Sequence, residues 1–210
     1  MATPPRFANQ PNVRHRLGPD RVLFESRSVA VLAVVVARHR PSGSFHVLAG
    51  ERGPAVDQSD RWCLPCGYLD WNEDLSGAVR REVWEETGID LAPLEAAGAA
   101  IVPAQPVLVQ SDPGSHRQNV TAHFPVELQV DELPAPTAAN AEVGEVQQVT
   151  WLELTAPAVL ARAWAFEHDQ LLLELAAFLR QERDRGQDDG GSVRRYYRGK
   201  IEGRYPFVER

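Results

Sequence analysis

The sequence has only two cysteines, Cys63 and Cys66, in 210 residues. That is too few for the disulfide framework of a small secreted scaffold. Long apolar runs are missing as well: the longest, residues 29–37 (VAVLAVVVA), has nine residues, about half of the ~20 that a membrane-spanning helix needs. The opening MATPPRFANQPNVRHRL carries basic side chains with no apolar stretch behind them, so it lacks the pattern of a secretory signal. These absences lead us to expect a soluble, cytoplasmic protein with no membrane partner. There is no basic excess either; a net charge of −7 argues against general affinity for nucleic acid. What is present, 43% hydrophobic and 24% charged residues without an internal repeat, suits one globular domain with tails better than two domains.

Residues 1–20 are rich in Pro, Arg and Asn and show no hydrophobic period, which reads as an arm. The β-branched run at 29–37, the turn PSGS and the segment FHVLAGER predict a buried strand pair. After the Pro65-Cys66-Gly67 break, Asp74 is placed to cap a helix that runs to about Thr87, where Gly88 ends it. Leu75, Val79 and Val83, with Ala78 beside them, give that helix its core stripe. Residues 94–110, RQNVTAHFPVELQV and EVQQVTWLEL predict strands, and 156–164 and 166–185 predict helices. From Gln187 a linker-like QDDGG leads into SVRRYYRGKIEGRYPFVER, where basic residues alternate with Tyr196, Tyr197, Tyr205 and Phe207. Such a tail suits either packing across its own domain or a nucleotide contact.

The two thiols stand as Cys63-x-x-Cys66. A redox pair of this spacing belongs at a helix N-terminus, and here a glycine-containing loop intervenes. A zinc site needs two further ligands, and no second cysteine pair exists. Cys63 reads as a small buried apolar residue.

The charged heptapeptide RREVWEE would by itself be an ion-paired, solvated helix face. Its context changes that reading. From Gly67 the chain runs through five residues to Glu73, seven more to Arg81-Glu82-Val83, one to Glu85-Glu86 and one to Gly88-Ile89. On a helix Glu82 and Glu86 are one turn apart and Glu85 is three residues from Glu82, so the three carboxylates converge on one side. Left alone they repel; a hard divalent cation such as Mg²⁺, which takes a few carboxylate oxygens and completes its shell with water and phosphate, stabilises them.

The full set of positions at 67–89 resembles the Nudix box, G-x5-E-x7-R-E-U-x-E-E-x-G-U with U aliphatic. The resemblance implies an α/β fold, an α/β/α sandwich with a mixed central sheet and the box helix on one face. It also implies an N-terminal arm (1–24), a Nudix hydrolase domain (25–185) and a basic, aromatic tail (186–210). The implied activity is Mg²⁺-dependent hydrolysis of a nucleoside diphosphate linked to a group X, of the ADP-ribose or nucleotide-sugar kind, with Mn²⁺ as a substitute. A nucleoside triphosphate pyrophosphohydrolase and a non-catalytic nucleotide-binding module are the alternatives. Homodimers are frequent among such proteins.

By the same resemblance Glu82, Glu85 and Glu86 are the metal and catalytic residues, and Arg81 orients them by pairing with Glu85 or Glu73. Cys66 occupies a loop position where relatives have glycine, so it is expected to offer its carbonyl oxygen, not its sulfur, to the metal. In such proteins the general base is either a box glutamate or an acid from a later loop; Glu145, six residues before Trp151, is the first candidate among the later acids, and Glu127 is a weaker candidate expected to face solvent. Arg52, at the end of the second strand, is placed to bind phosphate. Trp71, in the loop before Glu73, is placed either to stack on a base or to cover the helix start. His123 and His168 read as packing residues.

Overall fold

The computed structural model describes residues 12–111, 119–186 and 191–202. A hairpin of β1 (Val13–Arg16) and β2 (Val22–Glu25) comes first, followed by β3 (Val29–His39), β4 (Phe45–Arg52), β5 (Trp62–Cys63) and β6 (Cys66–Tyr68). Helices α1 (Leu75–Thr87) and α2 (Leu91–Ala96) lead to β7 (Ala100–Ile101), β8 (Leu108–Gln110), β9 (Val120–Val130) and β10 (Val146–Glu153). The helices α3 (Ala156–Leu160), α4 (His168–Asp184) and α5 (Ser192–Ile201) complete the order. β3 lies parallel to β9 and antiparallel to β4 in a sheet ordered β10-β4-β3-β9-β7, with β5, β6 and β8 pairing to β4, β3 and β9.

β3 is apolar from Val29 to Ala37 because it is the covered centre of this sheet, and strand alternation divides these side chains between two cores. Leu32, Val34 and Val36 pack with α3, α4 and α5, whereas Val31, Ala33, Val35 and Ala37 pack with Val79 and Val83 of α1 and Leu91 of α2. The result is the α/β/α sandwich with a mixed sheet. Among the described residues no helix is long and apolar enough to cross a membrane.

The box helix forms as its sequence predicts. Asp74 accepts the Gly77 N–H at 2.7 Å, satisfying one of the first-turn donors. At the other end Gly88 takes φ +69° and returns its N–H to the Trp84 carbonyl.

Three segments differ from the sequence reading. Residues 94–110 do not make one strand: Asp90 caps α2 through the Ala92 N–H at 2.9 Å, Gly98 turns the chain at φ +69°, and only β7 and β8 pair with β9. Pro103 and Pro106, which have no N–H to donate, separate those two strands. The expected arm, 1–24, carries β1 and all of β2 except Glu25. The tail forms α5, an amphipathic helix whose Tyr196 and Tyr197 are 1% and 0% exposed; Tyr205 and Phe207 lie outside the described residues. Arg194 and Arg195 pin α5 to Glu127 and Glu182, each at 2.8 Å. Glu127 is therefore buried and paired rather than solvent-facing, because its partner arrives 67 residues later in the chain.

Replacing Tyr197 by Ala is expected to cost about 3–5 kcal/mol, the range for deleting a buried aromatic ring. Tyr197→Phe is expected to cost less than ~1 kcal/mol, since the hydroxyl has no hydrogen-bond partner among the described residues. Urea unfolding of both variants measures this; equal losses would show that the ring is not what seats α5.

Candidate active site

The backbone of β3 changes partners along its length. Its last residues pair with β4 (Val36↔Val47), whereas its first pair with β6 (Ala30↔Tyr68, Val31↔Gly67, Leu32↔Cys66). The loop bearing Cys66 and Gly67 is thus fixed to the central strand, and the Ala33 N–H to Pro65 carbonyl bond of 2.9 Å continues the attachment. α1 follows directly and lays its acidic face against this loop. A Cβ on Gly67 would fall 2.1 Å from Glu82 Oε1, so glycine is required for the carboxylate to lie where it does. Glu86 Oε2 accepts the Cys66 N–H at 3.1 Å.

Glu82 and Glu86 are 6% and 5% exposed, and both side chains emerge from the same helix face. Burial pushes the Glu82 carboxyl up to about 7, against the pull of Arg81. Glu86 is driven well above the usual carboxylate range, first by burial and then by the Cys66 sulfur and Glu82. Arg81 is the hub that holds the acids in place. It donates through Nη2 to Glu73 at 2.6 Å and to the Tyr68 carbonyl at 2.8 Å, and through Nη1 to Glu82 at 2.7 Å and Glu85 at 3.0 Å. The hydrogen bond from Arg81 holds the Glu73 carboxyl below its ordinary value.

Glu145 joins this group from the loop before β10. It is half-buried, lines the same cleft, and its charge acts on both Glu82 and Glu86. Its position is set by Gly53, whose N–H donates to the Glu145 carbonyl at 2.7 Å. A Cβ on Gly53 would meet the Gly144 carbonyl oxygen at 2.1 Å, so this contact too depends on glycine.

The donor set fits a hard divalent cation. It consists of oxygens, two of its carboxylates are buried beside each other, and Gly67 leaves the space next to Glu82 open. Among the described residues, no three His, Cys, Asp or Glu side chains already form a metal cage. Arg81 engages Glu82 and Glu85, so a cation here would draw its remaining ligands from the loop backbone, water and phosphate. Neither cysteine is in a disulfide: Cys63 is buried in β5, and Cys66 in β6 borders the acids through its main chain.

The acids form one wall of a cleft of about 960 Å³. Arg52, 9% exposed, stands on another wall, held by Asp57 through Nε to the carbonyl at 2.8 Å and Nη2 to Oδ1 at 2.6 Å. Its guanidinium lies 4.7 Å from the centre of the Phe166 ring. Phe166 and Glu167, both on the lining, have φ of +56° and +65°, a conformation that side-chain-bearing residues adopt at a cost. Hydrogen bonds between Trp62 and residues 163 and 165, both 2.8 Å, brace them.

Arg81, Glu82, Glu85, Cys66, Arg52 and Glu145 all line the cleft, and Glu86 lies behind Cys66. Trp71 does not join them. It is 88% exposed in the turn that the Asp70 N–H to Glu73 bond closes, so it neither lines the cleft nor covers the helix start. Conversely, His123, Glu174 and Lys200 line the cleft without having been assigned to the site from sequence. For Lys200 a signal exists: Val193, Tyr196, Tyr197 and Lys200 repeat at helical spacing and mark one buried face of α5. His168, also on the lining, accepts the Leu64 N–H at 3.1 Å.

Gly67→Ala is expected to displace the Glu82 carboxylate and to give a smaller rise in melting temperature on adding Mn²⁺ than the parent shows; an undiminished Mn²⁺ shift would contradict the geometry. A pH dependence follows from the raised Glu82 carboxyl. Its folded value, about 7, exceeds the ordinary 4.5, so its contribution to stability is fully present below 4.5 and is lost as pH rises through 7. His123, lowered to about 4 mainly by burial, acts oppositely as pH falls below 6.5. Addition of Mn²⁺ isolates the carboxylates: the rise in melting temperature is expected to be larger at pH 8 than at pH 5.5, and equal rises would rule the effect out.

No curated protein sequence matches this chain. Among solved structures it is similar to the Nudix domain of Shewanella oneidensis NrtR complexed with ADP ribose (22% identity, 77% of this chain and 90% of that one, TM-score 0.52). It is also similar to a bifunctional NMN adenylyltransferase/ADP ribose pyrophosphatase from Francisella tularensis complexed with AMP and a Mn ion (23% identity, TM-score 0.50). The match covers 70% of this chain and only 41% of that longer protein. A third likeness is to a C. elegans Ap4A hydrolase (20% identity, 72% of this chain and 98% of that one, TM-score 0.50). At these identities the likeness is one of fold. The NUDIX domain profile matches residues 27–175, well over half of the sequence and including the whole box, and the chain belongs to the Nudix hydrolase family.

Proposed function

We propose that this chain is a Mg²⁺-dependent pyrophosphohydrolase that cleaves a nucleoside diphosphate linked to a group X, with Mn²⁺ able to replace Mg²⁺. The observation that carries this reading is the pair of buried carboxylates, Glu82 and Glu86, set against the Cys66–Gly67 backbone at the wall of an open cleft. Solvent-facing ion pairs would not be placed under a glycine and desolvated. The names of the similar proteins support the substrate class: they concern ADP ribose and Ap4A, both built on phosphoric anhydrides.

Glu82, Glu86 and the Cys66 carbonyl would hold the cation, with Glu85 beside them. When bound, it neutralises phosphate charge and lowers the pKa of an attacking water. Arg81 keeps Glu82 and Glu85 oriented through its Nη1. Arg52, fixed by Asp57 and Phe166, offers its guanidinium edge to the phosphate chain. Glu145 faces the acids from the opposite loop and accepts the proton as a water oxygen bonds to phosphorus and the bridging P–O bond breaks. The products are a nucleoside monophosphate and the phosphate of X.

Glu86→Gln is expected to lower kcat by roughly 10²-fold or more, since one transition-state contact of this kind is worth that much, while circular dichroism stays unchanged. The assay is a panel of nucleoside diphosphate derivatives and triphosphates with Mg²⁺ and with Mn²⁺, products identified. Turnover of triphosphates alone would overturn the substrate class. A parent as inactive as the variant would indicate a binding module.

A further inference from the structure

The cleft extends beyond the acids to a second polar group that the hydrolytic reading leaves unused. Lys200 of α5 is the single lysine of the sequence, every other basic side chain apart from histidine being arginine. It is 7% exposed and its Nζ donates to Glu174 Oε2 at 2.5 Å and to the Tyr196 hydroxyl at 3.3 Å. The Tyr196 hydroxyl donates to the same Glu174 oxygen at 2.7 Å. Across from them on β9, His123 is 5% exposed and bonds through Nε2 to Gln110 Oε1 at 2.8 Å. Its Nδ1 has no hydrogen-bond partner among the described residues. Burial, followed by the nearby Lys200 charge, pushes its pKa down to about 4, so the ring is neutral and, donating through Nε2, presents Nδ1 as a buried acceptor. An orphaned buried acceptor is destabilising, and a ligand hydroxyl would satisfy it.

The chemistry of this group discriminates between ligands. A terminal phosphate would meet the Glu174 carboxylate and the His123 lone pair, and Lys200 is already shared with Glu174. A flat base needs exposed ring faces, and those on the lining belong to other parts of the cleft: Tyr68, 59% exposed, whose carbonyl accepts from Arg81 beside the acids, and Phe166, whose ring lies against Arg52. A ring bearing several hydroxyls matches acceptors at Glu174 and His123 and donors at Lys200 and the Gln110 amide. The spacing also agrees. Cys66 and His123 both pair with Leu32 from opposite sides, which puts their backbones two strand spacings, roughly 10 Å, apart. That is comparable to a diphosphate carrying one sugar ring.

We infer that Glu174, Lys200, His123 and Gln110 form the recognition subsite for a hydroxylated sugar on X, so that the substrates are nucleoside diphosphate sugars. This rests on the pyrophosphohydrolase reading above and deepens it. It also makes α5, which lies beyond the residues 27–175 matched by the family profile, a part of the substrate site.

The test compares each nucleoside diphosphate with its sugar derivative (ADP with ADP-ribose, UDP with UDP-glucose, GDP with GDP-mannose) by calorimetry, with Ca²⁺ in place of Mg²⁺ to suppress turnover. The parent is expected to bind at least one sugar derivative about tenfold or more tighter than the matching diphosphate, the effect of one or two satisfied hydrogen bonds. His123→Gln keeps an amide near Nε2 but removes the Nδ1 acceptor, and Lys200→Met removes the cation at similar length; both are expected to erase the sugar increment and leave the diphosphate Kd within about twofold. Melting temperatures of the variants report that they are folded. A parent that hydrolyses a nucleotide sugar with Mg²⁺ but shows no increment, or one unchanged in both variants, overturns the subsite alone. A parent that cleaves other nucleoside diphosphate derivatives but none of the three sugar derivatives also overturns the subsite alone, and one that cleaves no nucleoside diphosphate derivative overturns both readings.

Discussion

Two carboxylates are kept out of water within one helical turn of each other, and the rest of the site is arranged around that cost. Glu82 and Glu86 would repel and reclaim solvent if the helix were free to move. It is not: Ala78, Val79 and Val83 lock α1 onto the central sheet, and Cys66 and Gly67 are hydrogen-bonded into the same sheet through β6. The acids are squeezed between two elements that share β3 as their reference. Arg81, itself on the cleft lining, offsets part of the charge through Glu82 and Glu85.

The same central strand supplies the other half of the cleft. β3 meets β6 on one edge and β9 on the other, so the Cys66–Gly67 loop and His123 are held in one register. The helices on the far face then close the floor. α4 contributes Glu174 and α5 contributes Lys200, joined by charge and by the buried tyrosines. Strain collects at the remaining corner, where Phe166 and Glu167 hold a left-handed backbone beside Arg52.

Features set by local chemistry were readable in the sequence. The Asp74 cap, the Gly88 terminator and the apolar stripe of α1 each depend on residues within a few positions of one another. The acids of that helix were readable for the same reason. Trp71 was not, because its outward position is decided by a turn closed by Asp70 and Glu73 and not by its own apolar character. Residues 94–110 misled for a related reason: their apolar content was visible, but the Asp90 cap and two prolines cut the segment into three pieces. Glu174 and Lys200 lie 26 residues apart on separate helices, and Glu127 and Arg194 lie 67 apart. No short-range pattern encodes such pairs, since only the packing of α5 on the sheet brings them together.

The placement of α5 has a consequence for synthesis. A ribosome that has made everything through α4 has already produced the sheet and the acidic helix, so the emerging chain holds its charge cluster before the chamber has a floor. Closure waits for Tyr196, Tyr197 and Lys200 to leave the exit tunnel, so the acids are in place before the far wall of their cavity exists.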